Sequence, residues 1–283
     1  MSTESLEDLR REIDRIDDAL HDLVMQRAQV VERIGVLKGG VQVLRPGREA
    51  EILRRLVSRH QGRFPRAVLV RLWREMMGAL VALQSPFPVA VFMPERGAGY
   101  LELARDQYGA YAATTPYRSV GQVVRAVADG VAAVGIVPVP DREGAENWWL
   151  GLTSDNPDTP RIVARLPFAG PGPGRGDGAE GLAIGRLPHD ATGYDRSWIA
   201  VETDPDISRA RLKQFLGAAG LEPSLFAATH RADDAWMHLI EILGWVAPDD
   251  RRMGRLVEKS QPIRRSVVLG GYAVPFTAED LAD

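Results

Sequence analysis

Cysteine is absent from all 283 residues, which excludes disulfides, thiolate metal sites and cysteine nucleophiles. Lysine is scarce: Lys38, Lys213 and Lys259 stand against an abundance of arginine. With so many arginines, only the position of an arginine carries weight, never its mere presence. No run approaches the ~20 uninterrupted apolar residues that a bilayer span requires, so no membrane partner is expected. Nor is there an excess of positive charge. The formal net charge is -3, which argues against a nucleic-acid partner. The opening MSTESLEDLRREID has neither a basic n-region nor an apolar h-region, so a cytoplasmic rather than a secreted chain is expected. Ligand spacing is missing too. His21 falls on a solvated helix face, and His60, His189, His230 and His238 form no metal-binding pattern, so no metal and no cofactor are expected. Asp249-Asp250 reads as a helix N-cap pair. Trp148-Trp149 reads as a pocket lining or as one buried and one interface aromatic.

What is present is enough apolar material for packed cores, 45% of residues, in a chain long enough for two or three domains. From Leu6 to Gln84 the pattern is helical. Leu6, Leu9, Ile13, Ile16, Leu20, Leu23, Val30, Ile34 and Leu37 alternate spacings of three and four, the stripe of a core-facing helix. Ser5 or Thr3 can cap its start and Gly39-Gly40 ends it. Two short partners cannot cover a helix of this length, so a second copy of the chain is expected to do so, as an intertwined dimer. A second helix is predicted from about Gly47 to Ser58. A third follows over about Arg66 to Leu83, with Leu69, Leu72, Trp73, Met76, Met77 and Leu80 inward. Ser85-Pro86-Phe87-Pro88 reads as a linker.

Arg27 occupies a core position of the first stripe, four after Leu23 and three before Val30. A charge there is costly unless paired, so it either meets a carboxylate of its own core, snorkels from the helix edge, or binds an anion. Lys38 lies about three turns further on, on nearly the same face; alone it reads as a C-terminal lysine complementing the helix dipole. Arg48 and Glu49 open the second helix and Gln84 extends the third stripe. Each alone reads as a solvated helix end. Together they present cationic and amide groups suited to a small dianion held by forked guanidinium contacts. Arg10 lies seventeen residues before Arg27, about a quarter turn off its face, so it does not easily enter the same pocket on its own helix, and in a dimer it could reach the partner's pocket.

The segment LEDLRREIDRIDDALHDLVMQRAQVVERIGVLK, with PGREAEIL and LWREMMGALVALQ, closely resembles the all-helical (AroQ-class) chorismate mutases. That resemblance implies the rearrangement of chorismate to prephenate in aromatic amino acid biosynthesis, without metal or cofactor. It implies that Arg27 and Arg48 bind the substrate carboxylates, that Lys38 and Gln84 hydrogen-bond the ether oxygen, and that Glu49 holds the ring hydroxyl. Arg10 of the partner subunit would complete each site. Two positions depart from better-known members: Arg45 stands where some carry an aspartate, and Leu80 where some carry a serine.

From Val89 the periodicity changes. PVAVFMP and VAAVGIVPVP read as strands, GYLELARDQYG and SVGQVVRAVADG as helices, and AGPGPGRGDGAEG as a flexible run. RSWIAVETD, SLFAATHR, AWMHLIEILGWV and IRRSVVLGGYAVP read as strands, with helices over Ile207 to Gly220 and Asp249 to Ser260, giving the order βαββαβ. The whole arrangement resembles bifunctional chorismate mutase–prephenate dehydratases. Gly97-Ala98-Gly99 replaces the Thr-Phe-Ser of the dehydratase opening, Pro140-Asp141-Arg142 replaces its Glu-Asn-Ser, and its Thr-Arg-Phe signature would fall near Ser197-Trp198-Ile199. The expected architecture is therefore a three-helix mutase domain over residues 1–85, a reduced α/β dehydratase-like domain over 88–195 and a ferredoxin-like, ACT-like domain over 196–283. The competing expectations are a working bifunctional enzyme and an amino-acid-binding regulatory protein with a vestigial mutase.

Overall fold

A computed structural model describes residues 5–39, 44–95, 98–140, 147–170, 179–187, 190–258 and 261–282. Thr3, Gly40, Gly97, Asp141, Arg142, His189 and most of the glycine-rich run lie outside the described residues. The chain forms two compact units, Met1–Val43 with Leu80–Pro86, and Leu44–Ala79 with Phe87–Asp283.

The first unit is dominated by helix α1, Leu6–Leu37, about 48 Å long at 1.5 Å per residue. Ser5 is its cap. The Ser5 hydroxyl accepts from the Asp8 amide at 3.1 Å, and the Asp8 carboxylate accepts from the Ser5 amide at 3.2 Å. This capping box satisfies two backbone donors that the helix cannot. No α1 residue is buried. The apolar stripe is present but uncovered in a single chain: Leu6, Ile13, Leu20 and Leu23 are each more than half exposed, at 65%, 57%, 55% and 59%.

The second unit opens with α2, Pro46–Arg59, and most of α3, Arg66–Gln84, whose last turn belongs to the first unit. The line that α3 buries runs through Val70, Arg74, Met77 and Val81, spaced four, three and four. Of the inward stripe predicted for this helix, Met77 and Leu80 are buried but Leu72 is 54% exposed.

Among the described residues, the rest of the second unit is built on one nine-stranded sheet ordered β2-β1-β3-β5-β4-β9-β6-β8-β7. Strands β1 (Val89–Phe92), β2 (Thr114–Tyr117) and β3 (Val134–Pro138) are parallel, linked by α4 (Gly99–Tyr108) and α5 (Val120–Ala128). A short turn of 3-10 helix, Trp148–Leu152, precedes β4 (Arg161–Leu166) and β5 (Gly181–Gly185). Then β6 (Asp195–Thr203), α6 (Arg209–Ala219), β7 (Pro223–Arg231), β8 (Trp236–Leu243), α7 (Arg251–Glu258) and β9 (Ile263–Ala273) give the expected βαββαβ order. The two layers read separately in the sequence are thus joined edge to edge, through the pairing of Ile162 on β4 with Gly270 on β9. Gly270 has φ +113°, and a Cβ there would sit 2.2 Å from the Ile162 carbonyl oxygen; only glycine permits this approach.

Strand β6 is buried on both faces. Trp198 and Ala200 enter one apolar cluster with Trp149, Leu182 and Leu239, and Ile199 and Val201 enter another with Leu212, Leu216 and Leu256. Ser197-Trp198-Ile199, where a dehydratase signature was expected, is therefore interior strand. The Ser197 hydroxyl donates to the Gly244 carbonyl and accepts from the Val246 amide. Trp148 and Trp149 are both buried, in the chain's own apolar core. Asp250 caps α7, accepting from the Arg252 amide at 2.8 Å, and the Arg252 guanidinium holds its carboxyl below the usual range.

Candidate active site

Four of the six residues singled out from sequence fall in the first unit. Arg27 is half-buried on α1, while Lys38 is exposed at the helix end, its amide donating to the Ile34 carbonyl at 3.0 Å. Gln84, the last residue of α3, is half-buried, and its side-chain amide donates to the Leu80 carbonyl at 3.2 Å. A Cβ built on Gly35 would lie 3.2 Å from Gln84 Cγ. Gln84 thus packs on the closing turn of α1, one turn from Lys38. Arg10 is not brought to Arg27. It is exposed, 3.8 Å from Glu7, and the seventeen-residue separation is about 26 Å along the helix.

The other two residues open α2 in the second unit. Arg48 is exposed and pairs with Glu51 at 3.1 Å. Glu49 turns inward instead. Its carboxylate accepts from Arg74 Nη1 at 2.6 Å, with Arg74 only 4% and Glu49 13% exposed. Burial pulls the Arg74 guanidinium below its ordinary pKa while Glu49 opposes that shift. Arg74 Cζ stands 4.8 Å from the centroid of the Phe168 ring, beyond the end of β4. Tyr108 is buried beside this pair; burial and the Glu49 charge raise its phenol well above the ordinary value. Arg45, one of the two departures from the family pattern, pairs with Asp190.

Arg74 is the residue that sequence reasoning missed. The signal was available: Arg74 lies four after Val70 and three before Met77, the same intrusion into an apolar line that drew attention to Arg27. It was hidden because α3 has apolar residues on more than one face, and the line through Leu72 and Trp73 is the richer one.

Comparison with known proteins bears on the helical segment. Residues 9–85 match the family model for chorismate mutase type II. The bifunctional chorismate mutase/prephenate dehydratase of Pseudomonas aeruginosa is 33% identical over 155 residues, covering 52% of this chain and 42% of that protein. The protein of the same description from Aquifex aeolicus is 32% identical over 156 residues, covering 53% and 43%. The matched region spans less than half the length of either relative. Among solved structures, a prephenate dehydratase from Streptococcus mutans has a TM-score of 0.47 at 17% identity, covering 67% of this chain and 98% of that one. A quorum-quenching acylase, GqqA, has a TM-score of 0.47 at 16% identity, covering 67% and 95%.

Proposed function

We propose, from the premise that residues 9–85 form a chorismate mutase type II domain, that this chain rearranges chorismate to prephenate. That match carries the reading. It is supported by the half-buried Arg27 on the apolar stripe of α1 and by Gln84 packed one turn from Lys38. The reaction breaks an ether C–O bond and forms a C–C bond within one molecule, with no co-reactant. The protein must hold the reactive conformer and put donors where the ether oxygen gains electron density. Lys38 and Gln84 take the ether oxygen, Arg27 and Arg48 the carboxylates, and Glu49 the ring hydroxyl.

A homodimer completes the site. The uncovered stripe of α1 is the surface for the second copy, and Arg10 of the partner subunit reaches a substrate carboxylate. Residues 88–195 are read as a reduced dehydratase-like domain without turnover, and 196–283 as an ACT-like domain, supported by the βαββαβ order. A second reading, that the chain also dehydrates prephenate, is favoured by the bifunctional description of its relatives. The two are separated by supplying chorismate and following products. The expected result is prephenate without phenylpyruvate. Rapid phenylpyruvate formation would favour the second reading, and formation of neither prephenate nor phenylpyruvate would remove the first.

A further inference from the structure

The buried Glu49–Arg74 pair is built from the sheet side as well as from the helices. Four α3 residues on one helical face, Arg71, Arg74, Glu75 and Gly78, address the sheet region of the second unit. Arg71 pairs with Asp106 of α4 at 3.0 Å. Both Glu75 carboxylate oxygens accept from the Ala110 amide, at 3.0 and 2.9 Å. Gly78 lies against the end of α4, where a Cβ would stand 1.9 Å from the Tyr108 carbonyl oxygen. These contacts tie α3 to α4 and to the turn that follows it. Arg74, within that face, is then held on one side by the Phe168 ring and on the other by Glu49. Phe168 is itself fixed, 5% exposed and edge-on to Phe276 at 5.3 Å. Ala50 and Leu53 of α2 share an apolar cluster with Phe168 and Ala273, so the helix carrying Glu49 is seated on the same wall.

We propose that Arg74 is a positioning residue for the mutase site, orienting the Glu49 carboxylate, and that Phe168 acts through it, so that the sheet region is a structural part of that site and not a separate appendage. The proposal rests on the mutase reading, in which Glu49 holds the substrate hydroxyl. The chemistry is that of a charge-assisted hydrogen bond. One oxygen of Glu49 accepts from Arg74 Nη1 at 2.6 Å, and this charge-assisted hydrogen bond fixes the direction of the carboxylate. The guanidinium in turn lies over an aromatic face, with Cζ 4.8 Å from the Phe168 centroid, a cation–π contact that holds it in place.

The test is a set of double-mutant cycles on the full chain, reading kcat and KM for chorismate. Arg74→Gln is expected to lower kcat/KM by ~10-fold or more, and Phe168→Leu by ~3-fold, the second serving where the first fails to fold. In a Glu49→Gln background both substitutions are expected to add less than about twofold, because the group they position is already gone. A merely structural role lowers activity by the same factor in both backgrounds, and that result overturns the proposal. Arg74→Gln and Phe168→Leu proteins within about twofold of wild type overturn it as well. A wild-type chain that forms no prephenate removes the mutase reading and this proposal together; the other two outcomes leave the mutase reading standing.

Discussion

Two arginines on apolar lines show how far a residue can be read from its neighbours. Arg27 was legible because its line is long and otherwise unbroken. Arg74 breaks a line just as plainly, yet α3 presents two candidate faces, and which is buried depends on partners more than thirty residues away, such as Asp106 and Phe168. His238 belongs to the same scale. It is 4% exposed on β8, with the Thr203 and Thr229 hydroxyls each 3.1 Å from a ring nitrogen. Burial, then the charges of Arg209 and Arg231, push its pKa down to about 4 from 6.5. Between these values the unfolded chain binds a proton that the folded chain does not, so stability rises with pH across that window. The contribution is complete above about pH 6.5 and is lost as the pH falls towards 4, a total of about 3 kcal/mol at ~1.4 kcal/mol per unit. Urea unfolding at pH 7 and pH 5 should show a larger loss for wild type than for His238→Gln, and equal losses would contradict this account.

Among the elements, the helices were the most legible. A 3.6-residue period sustained over many turns marks α1, α2 and α3 in the sequence, and Ser5 is one of the two caps that side-chain chemistry offers. Strands β1, β3 and β6 to β9 were legible as apolar runs, whereas β2, β4 and β5 were not. TTPY of β2 contains a proline and little apolar character, and GLAIG of β5 begins and ends in glycine; each is a strand because its neighbours in the sheet supply the ladder. Helix α3 gives a prediction whose sign is decided by packing. Gly78→Ala improves helix propensity by about 1 kcal/mol, but its Cβ would overlap the Tyr108 carbonyl. Net destabilisation of about 1–3 kcal/mol is expected, read as a lower Tm; a higher Tm would show that α3 is free to shift. For α1, the uncovered stripe is expected to hold two copies together. Leu20→Asp should reduce the sedimenting species to a single chain while leaving far-ultraviolet circular dichroism intact, and an unchanged dimer would place the interface elsewhere.

At the scale of the whole molecule, the sequence separates helical residues from sheet residues, and the structure separates them differently. Helix α2 and most of α3 pack with the sheet, leaving α1 and the end of α3 as the other unit. The sequence pattern could not show this, since the apolar cluster of Ala50, Leu53, Phe168 and Ala273 joins residues far apart in the chain and the other anchors are single polar side chains: Arg54 donating to Thr192 and to the Tyr194 and Val274 carbonyls, and Arg66 donating to the Ala282 carbonyl. Neither has a periodic signature. The same scale holds the prediction of shared sites. Arg10→Ala and Arg27→Ala chains, each impaired alone, should regain activity when mixed and allowed to exchange, because each hybrid dimer keeps one intact site; no recovery after exchange would argue for sites made by one chain.

The central claim is that the helical segment is a working mutase whose grip depends on Arg27. Its most direct measurement is prephenate formation from chorismate by the full chain, wild type beside Arg27→Ala. The account predicts turnover by the wild type and a loss of ~100-fold or more in kcat/KM in the variant. No turnover by the wild type, or equal turnover by both, would contradict it.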